Sequence, residues 1–152
     1  MSNPEPNHSP SRGQIILYSI AGLFCLLGLA DATYLTVLAL TGETAACSGQ
    51  AGCFEVLGSA YSKVAGIPVA VFGVAAYFSA FTFATFAAFD YARARKFFAI
   101  MVSVLFASTL WLLYVQAFLL HAFCRYCLFS AAICFLLMGL VVATPSSPRS
   151  QN

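Results

Sequence analysis

The sequence predicts an all-α membrane protein: a four-transmembrane-helix bundle with an extracytoplasmic loop and a short interfacial helix capping it between helices 1 and 2. Three observations lead there. Only 8% of the 152 residues are charged and 61% are hydrophobic, whereas a soluble domain carries about 25% charged residues to meet water. Four apolar runs, Ile15–Leu40, Ile67–Phe89, Phe97–Leu120 and Phe123–Ala143, each reach the roughly 20 residues that cross a bilayer as a helix. None has the short alternating segments of a membrane β-barrel. Finally, of the seven Lys and Arg residues, Arg12, Arg93, Arg95, Lys96 and Arg149 fall on one side of such a bundle, and only Lys63 and Arg125 on the other.

Residues 1–13 are rich in Pro, Ser and Asn and read as a disordered tail. The first run is far longer than the 7–15-residue core typical of a signal peptide. Between the first two runs, "FEVLGSAYSKV" has helical spacing but is too short to span, so it reads as the capping helix. "GIP" then restarts a helix, with Pro68 at a tolerated first-turn position. "YARARK" joins the second and third runs, and the fourth begins beside "HAFCRYCLFS". Residues 14–143 form the single four-helix domain, and 144–152 a second polar tail. The positive-inside rule puts both tails and "YARARK" on the cytoplasmic side of the membrane. The 42–66 loop and the turn before Cys124 then lie outside. Net charge is +2 and follows topology rather than forming a patch, so no nucleic-acid partner is expected.

The six cysteines sort by side. Cys47 and Cys53 sit in the outer loop, in "CSGQAGC", and Cys124 and Cys127 at the outer end of the fourth helix. Extracytoplasmic compartments are where disulfides persist. Cys25 and Cys134 lie inside apolar runs and read as packing residues; Cys134 is about 10 Å deeper than Cys127 on nearly the same face. The four outer cysteines admit three readings: static disulfides, a four-thiolate zinc site, or redox couples. Zinc sites generally use two closely spaced pairs in small soluble folds. A permanent C-x-x-C disulfide closes almost no loop and so stabilises little. A pair that opens and closes explains the spacing better. Cys124 lies near a helix N-terminus and beside Arg125, both of which lower a cysteine's pKa, and Cys127 lies one turn further in, at a depth where a lipid-soluble oxidant can reach it. One exposed couple and one close to hydrocarbon make a relay between a soluble dithiol and a lipid-soluble oxidant.

With the loop pair come "C-x-x-V-x-x-S" (Cys53, Val56, Ser59), "G-I-P" (Gly66–Pro68) leading to "V-F-G" (Val71–Gly73), C-x-x-C opening the fourth helix, and "GLADATYLT" (Gly28–Thr36). In this order and spacing, across roughly residues 14–143, the chain resembles the vitamin K epoxide reductase family, particularly its bacterial members. The resemblance implies a bundle around a quinone site of ubiquinone or menaquinone type. It implies that Cys127 reacts with quinone, that Cys124 is its disulfide partner, that Cys53 attacks Cys124, and that Cys47 meets the protein substrate. It further implies a thioredoxin-like, DsbA-type extracytoplasmic partner that inserts disulfides into exported proteins. Many bacterial members carry that partner as a fused domain; with the chain ending at Asn152, a separate partner is expected. Ser59 matches the family serine after the loop cysteine, expected to hydrogen-bond or organise the cap over the quinone. Vertebrate members use an Asn in the second helix and a Tyr after C-x-x-C, where this chain reads "PVAVFG" and "LFSA", which favours quinone reduction over epoxide reduction.

Among other residues, Asp31 is ionisable within the first span and is expected to face the bundle interior, with a functional role or a structural hydrogen bond to another helix. Tyr61, Trp111, Tyr114 and Tyr126 fit either a quinone pocket or an interfacial aromatic belt. His121 fits a solvated turn or a proton-uptake group. The rival functional class is a membrane protein that binds or transports metal ions through thiolates.

Overall fold

The computed structural model describes residues 11–41 and 51–144, with side chains at all of these except 51–54. Helix α1 spans Arg12–Thr41, α2 Ala51–Gly58, α3 Val69–Ala88, α4 Ala92–Tyr114 and α5 Arg125–Ala143; a π-helical stretch, Val115–Leu120, prolongs α4. The four membrane helices expected from hydropathy are therefore present, as α1, α3, α4 with its π extension, and α5.

Their packing follows from where the small residues lie. In lipid there is no hydrophobic drive between helices, so close approach of small side chains holds them together. The buried face of α1 runs through Ala21, Gly22, Cys25, Gly28 and Ala32, and that of α3 through Tyr77, Ala80, Ala84 and Ala87. Bulky residues such as Leu23, Leu26, Phe78, Phe86, Ile100 and Phe135 point outward, toward hydrocarbon. Helix α1 packs against α3 and α5, and α4 against α3 and α5, closing a ring of four. At Gly28 the approach is so close that a Cβ would overlap the Tyr77 ring.

Two boundaries differ from the sequence expectation. "YARARK" belongs mostly to α4, which starts at Ala92 rather than Phe97. The turn before it is tight: Asp90 adopts a left-handed φ of 67°, and the Tyr91 N–H reaches back to the Phe86 carbonyl at 3.3 Å. Such a six-to-one closure ends a helix abruptly. The capping helix is also shorter than expected. It stops at Gly58, a 3₁₀ turn covers Ala60–Ser62, and Lys63–Val64 (β1) then pairs antiparallel with Ile67–Pro68 (β2). Ala65 and Gly66, with φ of 53° and 83°, form the two-residue loop. Positive φ at both positions is what a hairpin of this length demands. Pro68 therefore flanks α3 as its N-cap instead of sitting in its first turn.

Candidate active site

Cys124 closes the short segment between the π stretch and α5. That segment turns back sharply because His121 takes a left-handed φ of 49°, and the Ala122 N–H bonds the Gln116 carbonyl at 3.2 Å. The Cys124 N–H in turn donates to Gln116 Oε1 at 3.2 Å. Gln116 is 1% exposed, so both its backbone and its side chain are spent on holding this turn. Sequence reasoning passed over Gln116; its one signal was a lone amide within an apolar run, "LLYVQAFLL".

Cys124 is fully buried and serves as N-cap of α5, while Cys127, one turn on, is half-buried. Both are free thiols. They share an apolar cluster with Leu35 and Leu38 of α1, Val56 and Leu57 of α2, and Ala122. Thus α2, which carries Cys53, packs into the same apolar cluster as the C-x-x-C pair. The side chain of Cys53 and the whole of Cys47 lie outside the described residues.

The two inner thiols are not equivalent. Hydrogen bonding from the Cys127 thiol pulls Cys124 down from the ordinary 9.0 to about 6, against the opposing effect of burial. The backbone N–H groups of Cys127 and Tyr126, at the start of α5, add to this without closing a formal capping bond. The helix start acts as expected, whereas the exposed Arg125 is not among the causes. A thiolate is therefore available at Cys124 near neutral pH.

Below the pair the interior carries a file of polar groups. Asp31 is buried, and its Oδ2 has no hydrogen-bond partner; the structural hydrogen bond considered from the sequence is not made by this oxygen. Tyr77 Oη lies 2.9 Å from Ser130 Oγ and 3.1 Å from Cys134 Sγ. Cys134 and Cys25 are buried, as packing residues should be. Tyr77 and Ser130 also escaped the sequence reading, since one tyrosine and one serine in apolar helices look like ordinary packing.

The remaining expectations separate cleanly. Ser59 donates its hydroxyl to the Val56 carbonyl at 2.9 Å, finishing the end of α2. Tyr126 packs on Tyr34 of α1, ring centroids 5.1 Å apart. Trp111 and Tyr114 stack on each other and are half or more exposed, as is Phe118 beyond them, which suits an interfacial belt. His121 is exposed in its turn. A groove of about 600 Å³ between α1 and α3, lined by Tyr18, Gly22 and Phe81 among others, touches neither Cys124 nor Cys127.

A thiol pair of one buried and one half-buried cysteine with unequal acidities, held at the mouth of a membrane bundle with a carboxyl within electrostatic reach, is equipped for dithiol–disulfide exchange coupled to proton movement. The model of the vitamin K epoxide reductase family matches residues 19–142, a stretch that contains all six cysteines. The chain therefore belongs to the vitamin K epoxide reductase family and is a multi-pass membrane oxidoreductase acting on thiols.

Proposed function

We propose that this protein oxidises the dithiol of a thioredoxin-like extracytoplasmic partner and passes the two electrons to a quinone, of ubiquinone or menaquinone type, in support of disulfide formation in exported proteins. The observation that carries this reading is the C-x-x-C pair itself. It sits at one mouth of the bundle, in the same apolar cluster as the helix that bears Cys53, with a thiolate favoured at Cys124 and a carboxyl nearby. The quinone is the second substrate, and it takes two electrons and two protons. A site that pairs thiols with an unpartnered carboxyl suits such an acceptor better than a one-electron carrier.

The exchange steps follow from thiol chemistry. A partner thiolate attacks the Cys47–Cys53 disulfide at Cys47, releasing Cys53. Cys53 attacks Cys124 of the inner disulfide, releasing Cys127; the partner's second thiol displaces Cys47 and leaves the partner oxidised, and Cys47 then attacks Cys53, re-forming the outer disulfide and leaving Cys124 and Cys127 reduced. Two electrons have then moved inward, and oxidation of the inner pair by quinone resets the site. Ser59 supports the cap by fastening the end of α2. The basic residues favour cytoplasmic termini, in the inner membrane, with Cys47, Cys53, Cys124 and Cys127 toward the outside; an impermeant thiol reagent labelling the reduced protein only from the cytoplasm would reverse that orientation.

Purified protein in liposomes, given a reduced thioredoxin-like protein and a water-soluble ubiquinone or menaquinone analogue, should oxidise one and reduce the other with equal stoichiometry. Thiol oxidation without quinone reduction, or neither, overturns the proposal.

A further inference from the structure

Asp31 is the only carboxyl that α1 carries, and its residue is 9% exposed. Among the buried side-chain nitrogens and oxygens of the described residues, its Oδ2 alone has no partner. On the inward face of α1 it lies about one turn from Gly28, where the Tyr77 ring packs, and about one turn from Leu35, which packs with Cys124. The titratable groups within its electrostatic reach are Tyr77 from α3 and Cys124 and Cys127 from α5. Among the described residues no cation offsets it: the ion pair found there, Arg95–Asp90, is at the far end of the bundle.

A carboxyl kept in a bilayer without a partner is expensive, and side chains of this kind mark proton routes. Its free oxygen can gain or lose a proton without breaking any existing hydrogen bond. Resting on the thiol–quinone reading above, we propose that Asp31 is the proton store of this site, taking the proton set free when the Cys124–Cys127 disulfide is reduced and returning it when the pair is reoxidised.

The proton balance requires such a group. A partner dithiol that becomes a disulfide gives up two electrons and two protons. The reduced inner pair keeps both electrons but only one proton, shared toward Cys127, because Cys124 is held as thiolate near neutral pH. The second proton passes to the Asp31 carboxylate. On reoxidation the S–S bond re-forms, two electrons leave, and two protons are needed by the acceptor: one comes from Cys127 and one from Asp31. Hydroquinone departs, Asp31 is again a carboxylate, and nothing is left over. Storing the proton also holds the site at a single negative charge in both redox states, because thiolate and carboxylate are never both present in the reduced state.

Infrared difference spectra of the purified full-length protein, recorded on reducing the inner disulfide without quinone, read the carboxyl directly. Wild type should gain the C=O band of a protonated carboxylic acid, Asp31→Asn should lack it, and Asp31→Glu should keep it at a shifted position. Quinone reduction should fall about 100-fold in Asp31→Asn, the scale of a lost general acid, and largely recover in Asp31→Glu. The band's shift in Asp31→Glu assigns it even if Asp31→Asn fails to fold. Quinone reduction by wild type with no carboxyl band overturns the proton store and leaves the thiol–quinone reading intact. A band without quinone reduction upholds proton uptake at Asp31 and overturns the thiol–quinone reading.

Discussion

Gln116 and Cys124 are joined across the turn that leads into α5, the amide oxygen of one accepting the backbone N–H of the other at 3.2 Å. The contact fixes where α5 begins, and hence where the C-x-x-C pair sits. Gln116→Leu keeps the volume but leaves the Cys124 N–H unpaired in a buried place. The expected loss is about 1–3 kcal/mol, the cost of an unsatisfied buried donor, read as a lower midpoint of thermal unfolding in detergent. An unchanged midpoint would mean that the turn is held without this bond.

The thiolate at Cys124 makes a pH prediction with a definite sign. Its folded-state value, about 6, lies below the ordinary 9.0. The stabilisation of the reduced protein from this group is therefore present in full above the ordinary value and is lost as pH falls through about 6. Alkylation of Cys124 by iodoacetamide, followed residue by residue in the mass spectrometer, should show a midpoint near pH 6. Cys127→Ala removes the largest cause and should move that midpoint upward. A midpoint that ignores Cys127 would place the cause in the helix start alone.

The inner cysteines should trap different species. Cys127→Ala should lose quinone reduction and accumulate a Cys53–Cys124 disulfide, because one of the two thiols able to resolve that bridge is gone. Cys124 lies with Val56 and Leu57 under the helix that bears Cys53, which favours it as the point of exchange. Cys124→Ala should form no stable bridge between Cys53 and Cys127. Non-reduced digests distinguish the two, and the opposite pattern would exchange the roles.

Gly28 should tolerate no side chain. A methyl group there meets the Tyr77 ring, and Tyr77 is anchored by Ser130 and Cys134 and is 2% exposed. Gly28→Ala should destabilise by about 1–3 kcal/mol through overpacking, with partial recovery when combined with Tyr77→Leu. Equal losses that simply add in the double variant would show that the two positions do not compete for space.

Much of this fold was written plainly in the chain. The four spans stand out because hydrocarbon tolerates only long apolar runs, and Cys124–Cys127 stands out because two cysteines so spaced at a helix start are conspicuous. The 63–68 hairpin was hidden because "YSKVAGIP" carries no strand alternation; its turn rests on Ala65 at a φ that alanine seldom takes. Gln116 and Tyr77 were hidden for another reason. Their importance lies in a partner on another segment, and a single polar residue in an apolar helix gives no sign of where its partner will be. Asp31 was visible as a charge out of place, but only the assembled bundle reveals that its Oδ2 meets no donor.

The hairpin between α2 and α3 has a mechanical consequence. Two paired strands of two residues each, closed by a two-residue turn and running straight into Pro68 and α3, act as a stiff jamb on which α2 hangs like a door. Any swing of α2 on that jamb would move Gly58 least and Ala51 most. Cys53 stands five residues from Gly58, a lever of about 7.5 Å at helical rise. A tilt of about 30° about the Gly58 end would therefore carry the Cys53 backbone through about 4 Å, about the width of one sulfur atom.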